Sequence, residues 1–405
     1  MQLIDSILTQ AQGIAAVRRD IHAHPELCFK EVRTAEVVAQ KLTEWGLEIH
    51  RGMGTTGVVG IVHGRDGGAC GRAIGLRADM DALPMQEHNT FAHASQHAGK
   101  MHACGHDGHT AMLLAAAQYL AKHRDFDGTV VLIFQPAEEG GGGAREMIKD
   151  GLFERFPVEA VFGMHNGPGL PVGTLAASPG PVMASSNEFH NVIRGKGSHA
   201  ALPHNGIDPV PVACQMVQAF QTIITRNKKP VDAGVISVTM IHTGEATNVV
   251  PDSCEIQGTV RTFTYEVLDL IERRMGEIAQ HTCAAFGATC EFRFKRNYPP
   301  TINHPAETAF ARAVMAEIVG ADRVLDQEPT MGAEDFAYML QERPGCYAFI
   351  ANGDGAHREM GHGDGPCMLH NPSYDFNDEL IPLGATFWVR LAEKWLAQPR
   401  TGAGA

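Results

Sequence analysis

Between His102 and His109 the chain carries three histidines, a cysteine and an aspartate, in the string Met101-His-Ala-Cys-Gly-His-Asp-Gly-His-Thr110. Thiolate and imidazole are the ligands that borderline-soft divalent cations prefer. The string runs directly into Ala111 to Leu120, a helix former without Gly or Pro. An Asp107 side chain capping that helix would leave Cys104 and His106 on the turn ahead of its first residues. There the partial positive charge of a helix N-terminus favours a thiolate over a thiol. Cys104 and His106 are therefore candidate metal ligands. Taken alone, the pair equally suits a buried thiol beside a capping histidine, and the rest of the chain has to decide.

Other segments supply acids and imidazoles at comparable places. Ala73 to Ala78 is a β-rich run that ends in Arg77-Ala-Asp-Met-Asp81, and carboxylates at the end of a buried strand need partners or something to orient. Gly128 to Phe134 is a continuous apolar strand of the kind buried in a parallel sheet. It leads into Gln135-Pro-Ala-Glu-Glu-Gly-Gly-Gly-Gly143, whose glycines are expected to keep the loop open around Glu138 and Glu139. Ala160 to Met164 ends directly in His165, and Cys367-Met-Leu-His370 offers a further histidine as loop residue or ligand. Strands alternating with helices predict an α/β fold, a mostly parallel sheet with helices on both faces. Such sheets bind ligands outside the carboxyl ends of their strands. Asp79, Glu138, Glu139 and His165 fall on that rim, with Cys104 and His106 at a helix N-terminus beside it. Convergence of separate segments argues for a metal site. The remaining histidines read as bystanders: His22 and His24 in a turn before Pro25, His88, His93 and His97 on the surface, His357 and His362 in a glycine-rich loop.

The candidate ligands are Cys104, His106, Glu139, His165 and His370. Five exceed the three of a single catalytic zinc. Two divalent ions sharing Cys104 would use them all and leave room for a water acidic enough to give hydroxide near neutral pH. Glu138, beside a ligand but not needed as one, suits the general base and acid. The implied reaction is metal-assisted hydrolysis of an amide or ester. Zinc suits sulfur and imidazole, with manganese, cobalt or nickel also open. Two alternatives stay in view: Cys104 as nucleophile with His106 or His109 as base, and a non-catalytic metal- or ligand-binding protein on the same fold, which would have no need of Glu138.

These residues must be positioned by a chain of 405 residues with 44% apolar content, enough for two domains. Helices are predicted over residues 3–18 and 31–45, the second closed by Gly46. From about residue 184 the pattern becomes β-α-β-β-α-β, the ferredoxin-like arrangement. The predicted organisation is a catalytic domain over 1–183, a satellite domain over 184–294, the catalytic domain resumed over 295–397, and a disordered tail over 398–405. An edge strand of the satellite is a candidate for pairing with a second copy, giving a homo-oligomer. A formal net charge of -13 argues against nucleic acid or anionic membrane as partner. Apolar runs are too short to span a bilayer, and no secretory signal is visible. Nine scattered cysteines suit a reducing compartment, the cytoplasm.

The strings around Cys104 and Glu138, with Gly195-Lys-Gly-Ser-His-Ala-Ala-Leu-Pro-His204, Gly244-Glu-Ala-Thr-Asn-Val-Val-Pro251 and Gly332-Ala-Glu-Asp-Phe336, resemble the amidohydrolase branch of the aminoacylase and carboxypeptidase-like metallopeptidases. That branch includes hippurate hydrolases, N-acyl-amino-acid deacylases and auxin-conjugate hydrolases, and the bacterial hippurate hydrolases look most similar. The resemblance runs from about His22 to Asn377. It implies a di-metal catalytic domain lidded by a satellite domain that often mediates dimerisation. It places metal ligands on Cys104, His106, Glu139, His165 and His370, the base on Glu138, and a ligand-orienting acid on Asp79. It also implies oxyanion stabilisation by His199 and substrate contacts from Asn248 and Arg261, the latter pairing a substrate carboxylate. Peptidase relatives bridge their metals with aspartate; Cys104 in that place marks the amidohydrolase branch. The implied substrate is a small N-acyl or N-aroyl amino acid, N-benzoylglycine first.

Overall fold

Ile7, Ile14 and Ile21 recur two turns apart and bury one side of the first helix, α1 (Asp5–Ala23). In this computed structural model, which describes residues 1–399, α1 runs a full turn past residue 18. Its last turn is held by Arg18 and His22, fully buried among carboxylates, which an apolar periodicity does not reveal. Helix α2 (Val32–Glu44) turns Val38, Ala39 and Leu42 inward and is followed by Gly46 at φ 72°, the left-handed conformation that ends helices.

The strands follow hydrophobic content. β1 (Glu48–Met53) and β2 (Gly57–His63) form an antiparallel pair at one edge of an eight-stranded sheet. β3 (Ala73–Asp79), β4 (Thr129–Gln135), β5 (Ala160–Pro168) and the strand Gly345–Gly353 make its parallel centre, in the order β1-β2-β4-β3-β5-(345–353). Every residue of β3 is buried, as expected of a strand covered on both faces. Helix α3 (His106–Lys122) packs on this sheet, against α1 and the last helix, Leu380–Ala397. It is apolar nearly all round because it is surrounded. Gly108 in its first turn has no room for a side chain, since a Cβ there would overlap the Phe376 ring.

These elements belong to one compact unit, residues 1–180, 302–328 and 335 onward; residues 181–301 and 329–334 form a second. Within the second, strands Gly234–His242, Ser253–Thr262, Ser186–Arg194 and Thr289–Tyr298 lie side by side in that order, all antiparallel. With helices Pro209–Thr222 and Tyr265–Ala285 this is the ferredoxin-like arrangement. Prolines at 209 and 211 are tolerated because they occupy the first turn, where Asp208 caps by accepting from the Val210 N–H. Its own core is built from Phe189, Ile193, Met216, Phe220, Ile256 and Met275. The strand Thr289–Tyr298 carries this unit past residue 294, and the short return at 329–334 has no compositional signal. Of the expected tail, residues 400–405 lie outside the described residues. Among the described residues no helix is long and apolar enough to cross a membrane.

Gly108 provides a test of this packing. Alanine should gain about 1 kcal/mol of helix propensity, yet overpacking against Phe376 should cost about 1–3 kcal/mol. Gly108→Ala is therefore expected to lower the urea midpoint; an unchanged or raised midpoint would show that the approach of α3 to Phe376 is loose.

Candidate metal centre

Asp81, just past the end of β3, is where three segments meet. Its Oδ1 accepts from the backbone N–H of Glu138 (3.0 Å) and its Oδ2 from that of Glu139 (2.9 Å). The Cys28 thiol donates to Oδ2 at 3.3 Å and also lies 3.0 Å from the Glu139 carbonyl oxygen. His106 Nδ1 lies 2.9 Å from the Asp81 carbonyl oxygen and 3.2 Å from Oδ1. Nδ1 therefore carries the proton, and Nε2 presents its lone pair to the cluster. Buried as it is, the Asp81 carboxyl is held below its ordinary range by these donors.

Around that anchor lie two groups of ligand atoms, each within 4.8 Å: Cys104, His106 and His165, and Cys104, Glu139 and His370. Cys104 is common to both. Cys104 Sγ lies 3.4 Å from His165 Nε2, while His165 Nδ1 donates to the Asn166 carbonyl oxygen at 2.7 Å. Burial holds His165 well below the usual imidazole pKa, so it stands as a neutral donor. His370 Nε2 lies 3.3 Å from Glu139 Oε1, and its own amide donates to the Ala103 carbonyl oxygen at 2.8 Å, tying its loop to the cysteine segment. Glu138 is buried and shares a third group of atoms with His106 and Glu139; the Asp335 amide lies 3.4 Å from its Oε1.

The donor set fits divalent cations. His106 Nε2 and Glu139 Oε1 are buried without a hydrogen bond. Burial pushes the Cys104 thiol up and Glu139 adds to that, while Cys104 and Glu139 draw the His370 pKa up to about 10. His106 would be lowered by burial, but Asp79 and Cys104 outweigh it and raise it. A cluster that raises the pKa of His106 and His370 is one in which a cation displaces protons.

Several expectations change. Asp107 does not cap α3: the cap position is Gly105 at φ 93°, crowded by Asn166 Oδ1 and the Tyr374 hydroxyl, and His106 and Asp107 already belong to the helix. The glycines after Glu139 do not hold the loop open. They let it fold back, since a Cβ on Gly141 would strike Ala137 and one on Gly143 the Pro136 carbonyl. Asp79 faces His109 Nδ1 (2.6 Å) and Arg77 (2.6 Å), whereas the carboxylate on His106 Nδ1 is that of Asp81. His109 spends its other nitrogen on Asn166, which leaves it no lone pair for Cys104 and removes it as base in a cysteine mechanism. His93 is buried, with Nε2 3.2 Å from Asp375 Oδ1, while His88 and His97 are exposed as expected. Cys28, Asp81 and Asn166 were not among the expected site residues; the paired acids of Asp79-Met-Asp81 were the available signal.

His199, Asn248 and Arg261 belong to the second unit. His199 and Asn248 are exposed and line a concavity of about 910 Å³ between the chain at 197–199 and the loop 242–255. His199 Nδ1 accepts from the Ala201 N–H at 3.1 Å, so the neutral ring carries its proton on Nε2. Arg261 does not line this concavity; half-buried, it donates to Thr259 Oγ1 and, at 3.2 Å, to the Val260 carbonyl oxygen.

An α/β unit in which Cys104 is common to two groups of candidate ligands, with the Glu138 carboxyl group beside them, is the arrangement that a two-ion hydrolase requires. Residues 75–394 match the peptidase family M20/M25/M40, and the chain belongs to that family. It is 39% identical to the hippurate hydrolase of Campylobacter jejuni over 98% of this chain and 100% of that one. An IAA-amino acid hydrolase of Arabidopsis thaliana is 38% identical over 95% of this chain and 86% of its own length. Among solved structures, a Bacillus subtilis protein described as a dinuclear metal binding peptidase from the M20 family superposes with a TM-score of 0.83 at 34% identity, covering 97% of this chain and 99% of that one. The chain is a metal-dependent amidohydrolase with a site for two divalent ions.

Behind α3 the Asp107 carboxylate meets Arg18 at 3.2 Å and His22 Nδ1 at 2.9 Å, and His22 Nε2 meets Glu87 at 3.2 Å. Burial alone would lower the His22 pKa, but Asp107 and Glu87 lift it to about 10. The folded value lies above the unfolded one, so the stability His22 contributes is complete below about pH 6.5 and is lost as pH rises through about 10. Urea midpoints should fall more steeply across that window in the wild type than in His22→Gln; parallel curves would show that His22 is neutral in the fold.

Proposed function

We propose that the chain hydrolyses the amide bond of N-acyl and N-aroyl amino acids, with N-benzoylglycine the first substrate to try. The observation that carries this is Cys104 shared by two ligand groups with Glu138 beside them. Cys104, His106 and His165 would hold one ion, and Cys104, Glu139 and His370 the other. Two such ions supply Lewis-acid chemistry, polarising the scissile carbonyl and acidifying water. Glu138 takes the proton of the attacking water on its carboxylate and returns it to the leaving nitrogen, which departs as the amine of the amino acid. Asp81 keeps Glu138 and His106 in register by accepting from the Glu138 backbone N–H and from His106 Nδ1–H. His199, with its Nε2–H outward, suits donation to the developing oxyanion. Asn248 and Arg261 are the proposed substrate contacts, Arg261 for the carboxylate. Zinc is the first choice of metal because thiolate is a soft ligand, with manganese next and cobalt or nickel compatible. Nine free cysteines support a reducing compartment, the cytoplasm.

Similarity to a hippurate hydrolase and an IAA-amino acid hydrolase supports the same substrate class. Purified protein should release glycine from N-benzoylglycine, lose the activity to a chelator and regain it with zinc or manganese. Turnover indifferent to verified metal removal would contradict the reading. Glu138→Gln should keep its metal and lose roughly a hundredfold to ten-thousandfold in kcat; retained kcat would remove Glu138 as base.

A further inference from the structure

Between β4 and the Glu138-Glu139 pair the backbone turns through Ala137, which has φ 54°, in the left-handed region that a residue with a Cβ rarely adopts. Phe29, on the segment between α1 and α2, is left-handed too, at φ 59°. Both backbone N–H groups donate to one oxygen: Glu31 Oε1 accepts from Phe29 at 3.0 Å and from Ala137 at 2.9 Å. The other oxygen, Oε2, accepts from the Thr56 hydroxyl at 2.6 Å. Glu31 is fully buried, and three donors occupy its two oxygens. The Phe29 ring edge and the Ala137 Cβ together close the space over Gly141, so the two left-handed residues shape the same loop.

We infer that Glu31 is a positioning residue for the reaction: its carboxyl group holds the left-handed turn at Ala137 and so aims Glu138 and Glu139 at the cluster. This rests on the roles proposed above for those two residues. The reason is local. A left-handed alanine is unfavourable by itself and persists only where its surroundings over-determine it. Ala137 immediately precedes Glu138, so relaxation of its φ swings both following side chains, and the Asp81 carboxylate then has to hold their amides alone. The role demands reach rather than charge. Burial raises the Glu31 pKa to about 7, and a neutral side chain of the same length meets the same donors. In Glu31→Gln the amide oxygen accepts from Phe29 and Ala137, and the amide NH2 donates to a rotated Thr56 hydroxyl. In Glu31→Asp the charge stays but the carboxylate is one methylene too short to bridge both amides.

The test compares these two variants and adds Ala137→Gly, which removes the cost of a left-handed φ. Glu31→Gln should keep kcat, its pH profile and the manganese affinity of the metal-free protein close to wild type. Glu31→Asp should lose about tenfold to a hundredfold in kcat with KM little changed, as displacement of a catalytic group by about 1 Å does, and should bind manganese more weakly through the displaced Glu139. Hydrogen exchange on the metal-free protein should show the Ala137 amide protected in Glu31→Gln and exposed in Glu31→Asp. Ala137→Gly placed in Glu31→Asp should recover much of the lost kcat. A purely structural glutamate would instead give variants that differ in melting temperature alone, with no recovery by glycine. Glu31→Gln as impaired as Glu31→Asp, or Glu31→Asp as active as wild type, would overturn the assignment. Glu138→Gln measured alongside separates the two ideas: full activity there would discard Glu138 as base, while the exchange of the Ala137 amide would still report on Glu31.

Discussion

A carboxylate buried where it accepts from several donors cannot be moved by one neighbour without stranding the others, and Asp81 imposes that constraint on the whole site. It receives the amides of Glu138 and Glu139, the thiol of Cys28 and the Nδ1–H of His106. The donors come from three different parts of the chain: the loop after β4, the segment after α1, and the first residue of α3. Stranding a buried charged acceptor costs more than a neutral hydrogen bond contributes. The parallel sheet brings the ends of β3 and β4 together, and Asp81 converts that rough proximity into fixed directions for an imidazole lone pair and two carboxylates.

Around it the charges are arranged in layers. Arg77 meets Asp79 at 2.6 Å and Asp335 at 3.1 Å, and Gln135 joins Asp335 at 2.8 Å, so these buried carboxylates are partnered. Behind α3, Arg18 and His22 neutralise Asp107, Asp375 and Glu87. His102, buried between this network and the cluster with neither ring nitrogen bonded, is held neutral with its pKa lowered to about 4 by burial. Within the cluster, His106 Nε2 and Glu139 Oε1 are buried without hydrogen bonds. Two ligand-type atoms left without hydrogen bonds in one cluster of imidazole, thiol and carboxylate groups suit the uptake of a cation.

The parts of this design written in residue type and periodicity were readable. Buried strands such as Gly128 to Phe134 announce themselves by continuous apolar runs, and an acid or histidine directly after such a run falls on the carboxyl rim. That logic located Glu138, Glu139 and His165. The β-α-β-β-α-β pattern was equally visible, because half-buried strands alternate. Direction was what the sequence left open. Asp79 and Asp81 are two apart, which strand alternation alone would put on one face, but β3 ends at Asp79 and Asp81 lies beyond it; only the structure shows that Asp81 reaches His106 and Asp79 reaches His109. Asp107 has the right identity for a helix cap, but it is the second residue of α3, and the left-handed turn at the cap is supplied by Gly105. His93 sits in a polar stretch and is nonetheless buried, because Asp375, far along the chain, supplies its partner. Partners distant in sequence leave no local trace, and that explains why Glu31 and Cys28 also went unnoticed.

A two-ion site here requires that Cys104 be common to both ions. Crystals of the zinc-loaded protein, with diffraction recorded on both sides of the zinc absorption edge, address it directly. Two anomalous peaks are expected, each about 2.3 Å from Cys104 Sγ, one beside His106 and His165 and the other beside Glu139 and His370. A single peak, or two peaks of which only one lies within bonding distance of Sγ, would contradict the shared thiolate and with it the two-ion site built on it.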